Sequence, residues 1–403
     1  MTERVVVIGR NYTSRLGMIR AVGMAGYEVI VIKTNGMPDS KDIDAYSKYV
    51  NKYLYAREPD RKALVKLLLS LKSDKNKTIL IPVDDYAAST IDEYTNQLKD
   101  FFFPNIEMKQ GAINQLMDKN YQKELARKAG LNVAESWITN VEDGKISIPE
   151  GIAYPVFPKP QISYRGSKNC MRRCDDKHQL ETLLNNYAVS QRNCPILLEE
   201  YHEITNEYAL LGFSDGNDVF FPAVIHMLES GSGSHHGVTL LGKVLSPEIF
   251  IQFLNQLKVF VRELHFTGLL DIDFYESEGI LYFNEMNLRF GASGFAITDS
   301  GINLPHMFVK YLLGEKSTKQ DLKKKDSIFV NEKVAYDDYM NGYISKSDYK
   351  RYIESADICF IRSDVDDSPY RTFLSEKFSY KLQLKRLIRR YAKKFDFRKL
   401  ILN

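Results

Sequence analysis

Apolar residues in the first third of the chain form short runs with the spacing of buried strands. Runs at 5–8, 28–32 and 78–83 accompany an apolar helical stretch at 16–25. Strands that alternate with a helix in this way predict a parallel α/β domain, and ligands bind such a sheet at the carboxyl ends of its strands. A helix cap is predicted at Thr13 or Ser14.

Helices alternate with groups of strands in the middle of the chain. Helices are predicted over 111–129, 175–188 and 247–264. Strands are predicted at 137–138, 154–160, 195–201, 208–213 and 219–225. A polar stretch at 315–326 predicts a linker to a short appended segment. The predicted domains are 1–105, 106–205, 206–315 and 316–403.

Polar side chains recur at every second position in a strand of the C-terminal half. Glu285, Asn287 and Arg289 therefore share one face of a predicted β-hairpin, and Asp273 of the preceding strand faces the same way. Two carboxylates, an amide oxygen and a guanidinium suit a hard divalent cation that holds phosphates. The alternative is a solvated face of an antiparallel sheet.

The hairpin register depends on its turn. A three-residue turn at 277–279 places Asp273 opposite Phe283 and diagonal to Glu285, which is close enough for both carboxylates to bind one ion. Asp271 lies on the same face, and geometry alone does not exclude it as a ligand.

Composition and charge narrow the class of protein. The chain has 403 residues, 44% apolar and 27% charged, as in soluble globular proteins of two or three domains. No apolar run is long enough to span a membrane and the N-terminus lacks a signal peptide, so we expect a cytoplasmic protein. Residues 377–403 carry a charge of +9, which leaves −6 for the rest of a chain with net charge +3. An acidic body argues against a nucleic-acid partner.

The order of these segments resembles the ATP-grasp superfamily, whose members join a carboxylate to an amine at the expense of ATP. The most specific motif is an acid twelve positions before the Glu of Glu-x-Asn, which Asp273 and Glu285 match. The resemblance runs from residue 4 to about 314. The Gly-Arg-Asn-x-Thr-Ser-x-Leu-Gly pattern at 9–17 is most similar to D-aspartate ligases and carbamoyl-phosphate-synthase-like amino-acid ligases. It implies an α/β ATP-grasp fold with an N-terminal Rossmann-like domain and a small C-terminal extension.

The resemblance implies a set of ATP contacts. Lys119 and Lys159 would contact the phosphates, Lys159 also with a catalytic role, and Ser167 and Lys168 would lie in a loop that covers them. The alternatives are a solvated lysine at 119 and a simple surface turn at the loop. Adenine and ribose contacts, or else charges at the rim of the site, are implied for Glu199, Glu200, Tyr201, His202 and Glu207.

The resemblance also assigns the polar face of the hairpin. Asp273, Glu285 and Asn287 would bind one or two Mg²⁺, and Arg289 would stabilise the transferred phosphoryl group. Weaker substrate contacts are predicted for Arg10, Ser14, Arg15, His235, His236, Ser293 and Gly294. The two histidines lie in a small, polar loop at 229–237 that suits a lid, or they are simply exposed.

These features together predict an ATP- and Mg²⁺-dependent carboxylate–amine ligase that forms an amide through an acyl-phosphate. The alternatives are a bicarbonate-using, carboxylase-like enzyme and an ATP-binding pseudoenzyme that serves as an interaction module. Small-molecule carboxylate and amine substrates are expected, with a homodimer left open. The basic tail either docks on the body or contacts an anionic membrane or cell-envelope precursor.

Overall fold

Three β-sheets, each packed against helices, make up the computed structural model. It describes residues 3–36, 42–57, 60–73, 76–142, 145–190, 195–233, 237–315 and 326–362. Its strands are β1 (Arg4–Gly9), β2 (Glu28–Lys33), β3 (Val50–Tyr55), β4 (Thr78–Pro82), β5 (Asn105–Ile106), β6 (Ser136–Glu142), β7 (Lys145–Ser147), β8 (Val156–Pro160), β9 (Ile196–Glu200), β10 (Asn206–Asp215), β11 (Val219–Ser230), β12 (Thr239–Leu245), β13 (Phe266–Ser277), β14 (Ile280–Asn287), β15 (Ile328–Val330) and β16 (Ile358–Cys359).

The helices connect and cover these sheets. They are α1 (Tyr12–Met24), α2 (Arg61–Leu69), α3 (Asp85–Glu93), α4 (Thr95–Leu98), α5 (Ala112–Leu116), α6 (Lys119–Lys128), α7 (Lys177–Ser190), α8 (Ile251–Glu263), α9 (Gly294–Asp299), α10 (Leu304–Leu312), α11 (Glu332–Met340) and α12 (Lys346–Ser355). Among the described residues, no helix has the length and apolarity needed to cross a bilayer.

The N-terminal sheet is parallel, with strand order β3-β2-β1-β4, as the alternating pattern predicts. The first helix begins earlier than predicted, at Tyr12 rather than residue 16. The predicted cap at Thr13 or Ser14 is wrong, because the side chain of Asn11 accepts a hydrogen bond from the Thr13 N–H and caps the helix.

The largest sheet has the order β14-β13-β10-β11-β12-β15-β16, with β5 paired to β13. One face packs under α6 and α8, where Leu210, Ile272 and Phe283 are buried. The other face packs against α1 and α10. The strands β15 and β16 belong to this sheet, so the described part of the C-terminal segment is built into the body rather than appended. The domain boundaries stay predictions, and the tail at 377–403 lies outside the described residues.

The third sheet has the order β7-β6-β9-β8. The residues between β9 and β10 connect it to the largest sheet. Lys159 on β8 contacts Asn284 on β14, with Nζ 3.0 Å from Oδ1, and a cavity lined by Glu200, Tyr201 and Tyr282 also lies between the two sheets. We call the space between the third sheet and the β13–β14 hairpin the cleft. The polar residues of the hairpin lie along one wall of this cleft.

The helix predicted over 111–129 is two helices. The helical conformation is interrupted between α5 and α6. There, Asp118 accepts hydrogen bonds from the N–H groups of Asn120 and Tyr121 and caps α6. Lys119 is therefore the first residue of a helix, and it is buried.

Candidate functional site

The β13–β14 hairpin has a different turn from the predicted one. Ser277 pairs with Ile280, so the turn contains only Glu278 and Gly279. Both have positive φ, 51° and 76°, as a two-residue hairpin turn of type I′ requires. The prediction of a three-residue turn at 277–279 is wrong because Glu278 adopts this conformation without a second glycine.

A bulge at Asn284 then restores the polar face. Phe274 pairs with Phe283, whereas Asp273 pairs with Glu285, so Asn284 has no partner in the register. Asp273 and Glu285 are therefore directly opposite each other rather than diagonal. Beside them, Asp271 faces Asn287 in the same way. The predicted grouping of these side chains on one face is present, with a register that the sequence did not indicate.

The surroundings of two carboxyl groups on this face disfavour their ionisation. Burial, with the nearby charges of Glu285 and Asp85, raises the pKa of Asp271 to about 6 although Arg289 opposes the shift. Burial and the charges of Asp271 and Glu285 raise the pKa of Asp273 well above its usual value. Burial and the neighbouring carboxylates therefore oppose ionisation of both groups, and a bound cation would favour it.

The Asp271 carboxylate is also incompletely bonded. Its Oδ1 is buried and has no hydrogen-bond partner among the described residues. The backbone of Gly291 passes so close that an added Cβ would lie 1.9 Å from Oδ2. Glycine at 291 therefore lets the chain after Arg289 approach this carboxylate, and any side chain there would displace it.

Arg289 joins the hairpin to the N-terminal sheet. Its Nε lies 3.0 Å from Oδ1 of Asp85, at the start of α3, and its Nη2 donates to Oδ1 of Asn287 at 3.1 Å. Its Nη1 lies 3.7 Å from Asp271. Asp85 was not among the predicted site residues. Its position directly after the buried strand β4 was the available signal, because ligands gather at the carboxyl ends of parallel strands.

Lys119 forms an ion pair with Glu285 in the wall of the cleft, and it also contacts the hydroxyl of Ser163. Burial disfavours charge on both partners, but attraction outweighs it. The pKa of Lys119 is raised by Glu285, and the pKa of Glu285 falls to about 2 under the influence of Lys119 and Lys159. Both groups are thus charged at neutral pH, and Lys119 is not the solvated helical lysine of the alternative interpretation.

Lys159 shares a carboxylate with a lysine that the sequence analysis missed. The Nζ atoms of Lys159 and Lys123 both lie 2.7 Å from Oε1 of Glu199. Lys123 belongs to the buried face of α6, where positions 119, 122, 123 and 126 follow helical spacing. A lysine on an otherwise buried helical face was the signal for it. The side chain of Glu199 therefore points at the two cations and not at the rim of the site.

The segment after β9 leads from one sheet to the other and lines a cavity of about 470 Å³, with Glu200, Tyr201 and His202 in its wall. The imidazole of His202 lies 3.0 Å from the hydroxyl of Tyr275 and 3.3 Å from Glu200. Glu207 is exposed on β10 opposite Tyr275 in the register. Of the predicted nucleotide contacts, Glu200, Tyr201 and His202 thus line this cavity, and Glu207 is not among its lining residues.

The predicted phosphate-covering loop lies beside Lys119. Ser167 caps a short 3₁₀ helix through the N–H of Asn169, and Lys168 is exposed. Tyr164 fixes the start of this loop, since its hydroxyl lies 2.9 Å from that of Ser89 on α3.

The predicted substrate contacts at the N-terminal turn divide into two groups. Arg10 is exposed, and its N–H donates to Oδ2 of Asp84 at 2.6 Å. Ser14 is buried. Arg15 is wholly buried and bonded to Asp44, with Nε 2.7 Å from Oδ2. Arg15 therefore stabilises the interior of the N-terminal domain, which corrects the expectation that its guanidinium is open to a substrate.

The remaining predicted substrate contacts follow Arg289 or lie in the polar loop. Ser293 occupies the cap position of α9 and Gly294 begins that helix, close to the hairpin. His235 and His236 lie outside the described residues.

The donor set resembles a magnesium site that a ligand completes. Within the described residues, no group of three or more His, Cys, Asp or Glu side chains is arranged to hold a metal by itself. Two carboxylates with an amide oxygen, Asp273, Glu285 and Asn287, leave positions for other oxygens. Mg²⁺ in proteins usually binds one or two carboxylates and takes its remaining ligands from phosphates and water. The donor set, with the raised pKa of the Asp273 carboxyl group, fits such an ion.

Solved structures share this architecture. No protein-family model matches the chain. The biotin carboxylase domain of the Hydrogenobacter thermophilus 2-oxoglutarate carboxylase, solved with ADP, magnesium and bicarbonate, has a TM-score of 0.61 and 18% identity, covering 81% of this chain and 74% of that one. L-amino acid ligase from Bacillus licheniformis has a TM-score of 0.61 and 15% identity over 81% and 79% of the two chains. The chain therefore has the ATP-grasp fold, as its sequence predicted.

Curated relatives are similar to the chain as parts of larger proteins. The carbamoyl phosphate synthase large chain of Clostridium botulinum is 25% identical over 330 residues, which cover 78% of this chain and 29% of that protein. The C-terminal section of the Methanocaldococcus jannaschii large chain is 24% identical over 346 residues, 82% of this chain and 54% of that section. The chain thus spans about a third to a half of the length of these relatives.

Proposed function

We propose that the chain is an ATP- and Mg²⁺-dependent carboxylate–amine ligase. The observation that carries the proposal is the pairing of Lys119 with Glu285 in the cleft. A lysine suited to phosphate and a carboxylate suited to a metal neutralise each other there. The magnesium complex of ATP offers a partner to each, because its phosphates suit the ammonium and its metal suits the carboxylate.

The residues of the cleft have distinct roles in this proposal. Lys119 and Lys159 hold the phosphates, and Asp273, Glu285 and Asn287 hold the metal. Bound magnesium would offset the negative charge of the phosphate oxygens.

Arg289 provides a fixed guanidinium at the transferred phosphoryl group. Its bonds to Asp85 and Asn287 orient it before the substrate arrives, so little reorganisation is needed during the reaction. The γ-phosphate passes to a substrate carboxylate, and an amine then attacks the acyl-phosphate. The 229–237 loop is proposed to exclude water from this step, although residues 234–236 lie outside the described part of the chain.

An ADP-release screen tests the proposed reaction. The pure chain is incubated with Mg-ATP, amino acids of both hands and candidate amine acceptors. We expect ADP and phosphate to form only when a carboxylate and an amine are both present. Release of AMP and pyrophosphate contradicts the proposal.

A second candidate is a bicarbonate-using enzyme of the same fold. It is supported by the similarity to carbamoyl phosphate synthase large chains and to a carboxylase domain solved with bicarbonate. In the same screen, ADP release that requires bicarbonate and no amino acid favours this candidate.

The raised carboxyl pKa values predict that Mg²⁺ binding depends on pH. The metal binds the ionised form of Asp273, whose pKa is raised, and it favours ionisation of Asp271 beside it, whose pKa is about 6, so Mg²⁺ competes with protons in acid. The affinity for Mg-ADP is expected to increase from pH 5 to 7.5, by roughly tenfold per pH unit for each proton displaced in the acidic part of this range. Calorimetric titration with Mg²⁺ in the presence of ADP measures it, and titration with ADP alone is the control.

The effect of pH on the stability of the metal-free chain has the opposite sign to its effect on Mg²⁺ affinity. A raised carboxyl pKa means that the folded chain binds more protons than the unfolded chain between about pH 4 and 6. Without metal, the contribution of Asp271 to the free energy of unfolding therefore falls as the pH rises through this window. Mg-ADP should raise the melting temperature more at pH 7.5 than at pH 5. An equal increase at both pH values contradicts the assignment of Asp273 to the metal.

The proposal also covers the identity of the acceptor and the role of the basic tail. A cell-envelope precursor is proposed as one acceptor, with residues 377–403 attracted to its anionic groups or to a membrane surface. Co-sedimentation with anionic vesicles, compared between the full chain and a chain ending at residue 376, tests the tail. A homodimer is compatible with the proposal and is measured by sedimentation.

A further inference from the structure

Two buried lysines share one carboxylate oxygen beside the proposed phosphate site. Lys123 and Lys159 each place Nζ 2.7 Å from Oε1 of Glu199, and the three side chains are 1%, 6% and 9% exposed. Two ammonium groups and one carboxylate leave this group with a net positive charge. Only Lys159 belongs to the set that the proposed function assigns to ATP.

Lys123 changes what Glu199 does to Lys159. A buried lysine paired with a carboxylate of its own would be neutralised and poorly attractive to a phosphate. Because Lys123 occupies the same oxygen, Glu199 is shared, and the two nearby ammonium groups repel each other. Burial and repulsion from Lys123 and Lys119 lower the pKa of Lys159, against the attraction of Glu199 and Glu285. Glu199 therefore balances the ammonium of Lys159 only in part, and an anion such as a phosphate beside Lys159 would stabilise its charged form.

The helix that carries Lys123 is fixed to the hairpin. The amide of Gln122, the preceding residue, accepts from the N–H of Met286 and donates to its carbonyl, both at 2.8 Å, and it also donates to the carbonyl of Leu116. Met286 directly follows Glu285. Lys123 thus lies on a helix that is hydrogen-bonded to the strand bearing the proposed metal ligands. The position of its ammonium group beside Glu199 is therefore fixed before a nucleotide binds.

We propose that Lys123 is a positioning residue for nucleotide binding, which holds the Glu199 carboxylate so that Glu199 neutralises Lys159 only in part and Lys159 can bind the phosphates of ATP. The inference rests on the proposed function of the cleft. It assigns Lys123 no contact with the nucleotide itself. Its effect should appear with nucleotides that carry phosphates and not with adenosine, because Lys123 acts through the charge of Lys159.

Binding of Mg-ATP and adenosine to matched variants tests this role. Lys123→Met removes the ammonium with little change in length, and Lys128→Met makes the same change at an exposed position of the same helix. We expect Lys123→Met to weaken Mg-ATP binding by about tenfold or more, the loss typical of a charged partner, and to leave adenosine binding unchanged. Lys123→Arg, which keeps the charge, and Lys128→Met should bind both ligands as the wild type does.

A second variant protects the test against a folding defect. Lys123→Gln keeps a hydrogen-bond donor for Glu199 without the charge, and melting temperatures establish that each variant is folded. Lys123→Gln should show the same selective loss as Lys123→Met. Equal losses for Mg-ATP and adenosine, or wild-type Mg-ATP binding in both uncharged variants, overturn the inference. If the wild type itself does not bind Mg-ATP, the proposed function fails, which separates that failure from the failure of the role of Lys123.

Discussion

Replacement of Glu285 by Gln is expected to lower the rate of ADP formation by about a thousandfold. A metal ion contributes several kcal/mol to the stabilisation of charge in phosphoryl transfer, and each 1.36 kcal/mol corresponds to a tenfold change in rate. Gln cannot supply the carboxylate, and it also leaves the buried ammonium of Lys119 without its charged partner. Steady-state ADP release under saturating Mg-ATP measures the change.

The matched control for this variant is Glu263→Gln at the end of α8, the helix that precedes the hairpin. Glu263 is exposed and does not line the cavity, so the same substitution there should leave the rate unchanged. A variant of Lys119 is a second check on the same site, because Lys119 is the charged partner of Glu285. A Glu285→Gln variant that is folded and retains more than a tenth of the wild-type rate would show that this carboxylate does not hold the metal.

Replacement of Lys159 by Met is expected to weaken catalysis by about 10²–10³-fold, the loss seen when one preorganised group that stabilises transition-state charge is removed. Lys159 is buried and aimed into the cleft, where it contacts Glu199 and Asn284. A charge in such a place acts on the phosphates more strongly than one in water. The rate of ADP formation and the KM for ATP are measured together, because a phosphate contact made before and during transfer changes both.

Lys177→Met is the control for Lys159, since Lys177 lies on α7 next to the same sheet and its side chain is 71% exposed. It should leave both constants unchanged. The stability of Lys159→Met also needs measurement, because Glu199 then keeps Lys123 as its remaining charged partner. A folded variant with a wild-type KM and rate would exclude Lys159 from the phosphate site.

The local pattern of the chain predicted the parallel N-terminal sheet, the polar hairpin and the strand of Lys159. These features depend on neighbours in sequence, namely alternation, turn residues and buried apolar runs. The ATP-grasp resemblance used the same local motifs together with their order, and the comparisons confirm the fold. The roles of individual residues in binding stay predictions until the variants are measured.

The features that the sequence did not reveal are those set by tertiary contacts. The bulge at Asn284 follows from a two-residue turn combined with a core that requires Phe283 and Met286 on one face. Arg15 looked available in a polar turn, but ion pairs with residues some thirty positions away bury it. Lys123 gave only a weak signal for the same reason. It lies on α6, and its partner Glu199 lies on β9, which is distant from it in sequence.

Titration of the wild-type chain with ATP, with and without Mg²⁺, is the most direct test of the proposed site. The arrangement of Lys119 against Glu285 requires that metal and phosphate enter together, since either alone leaves one buried charge without a partner. Calorimetry should therefore show ATP binding at least about tenfold tighter with Mg²⁺ than without it, a difference of about 1.4 kcal/mol. ATP binding of equal affinity in both conditions, or no binding in either, would contradict a magnesium–nucleotide site in this cleft.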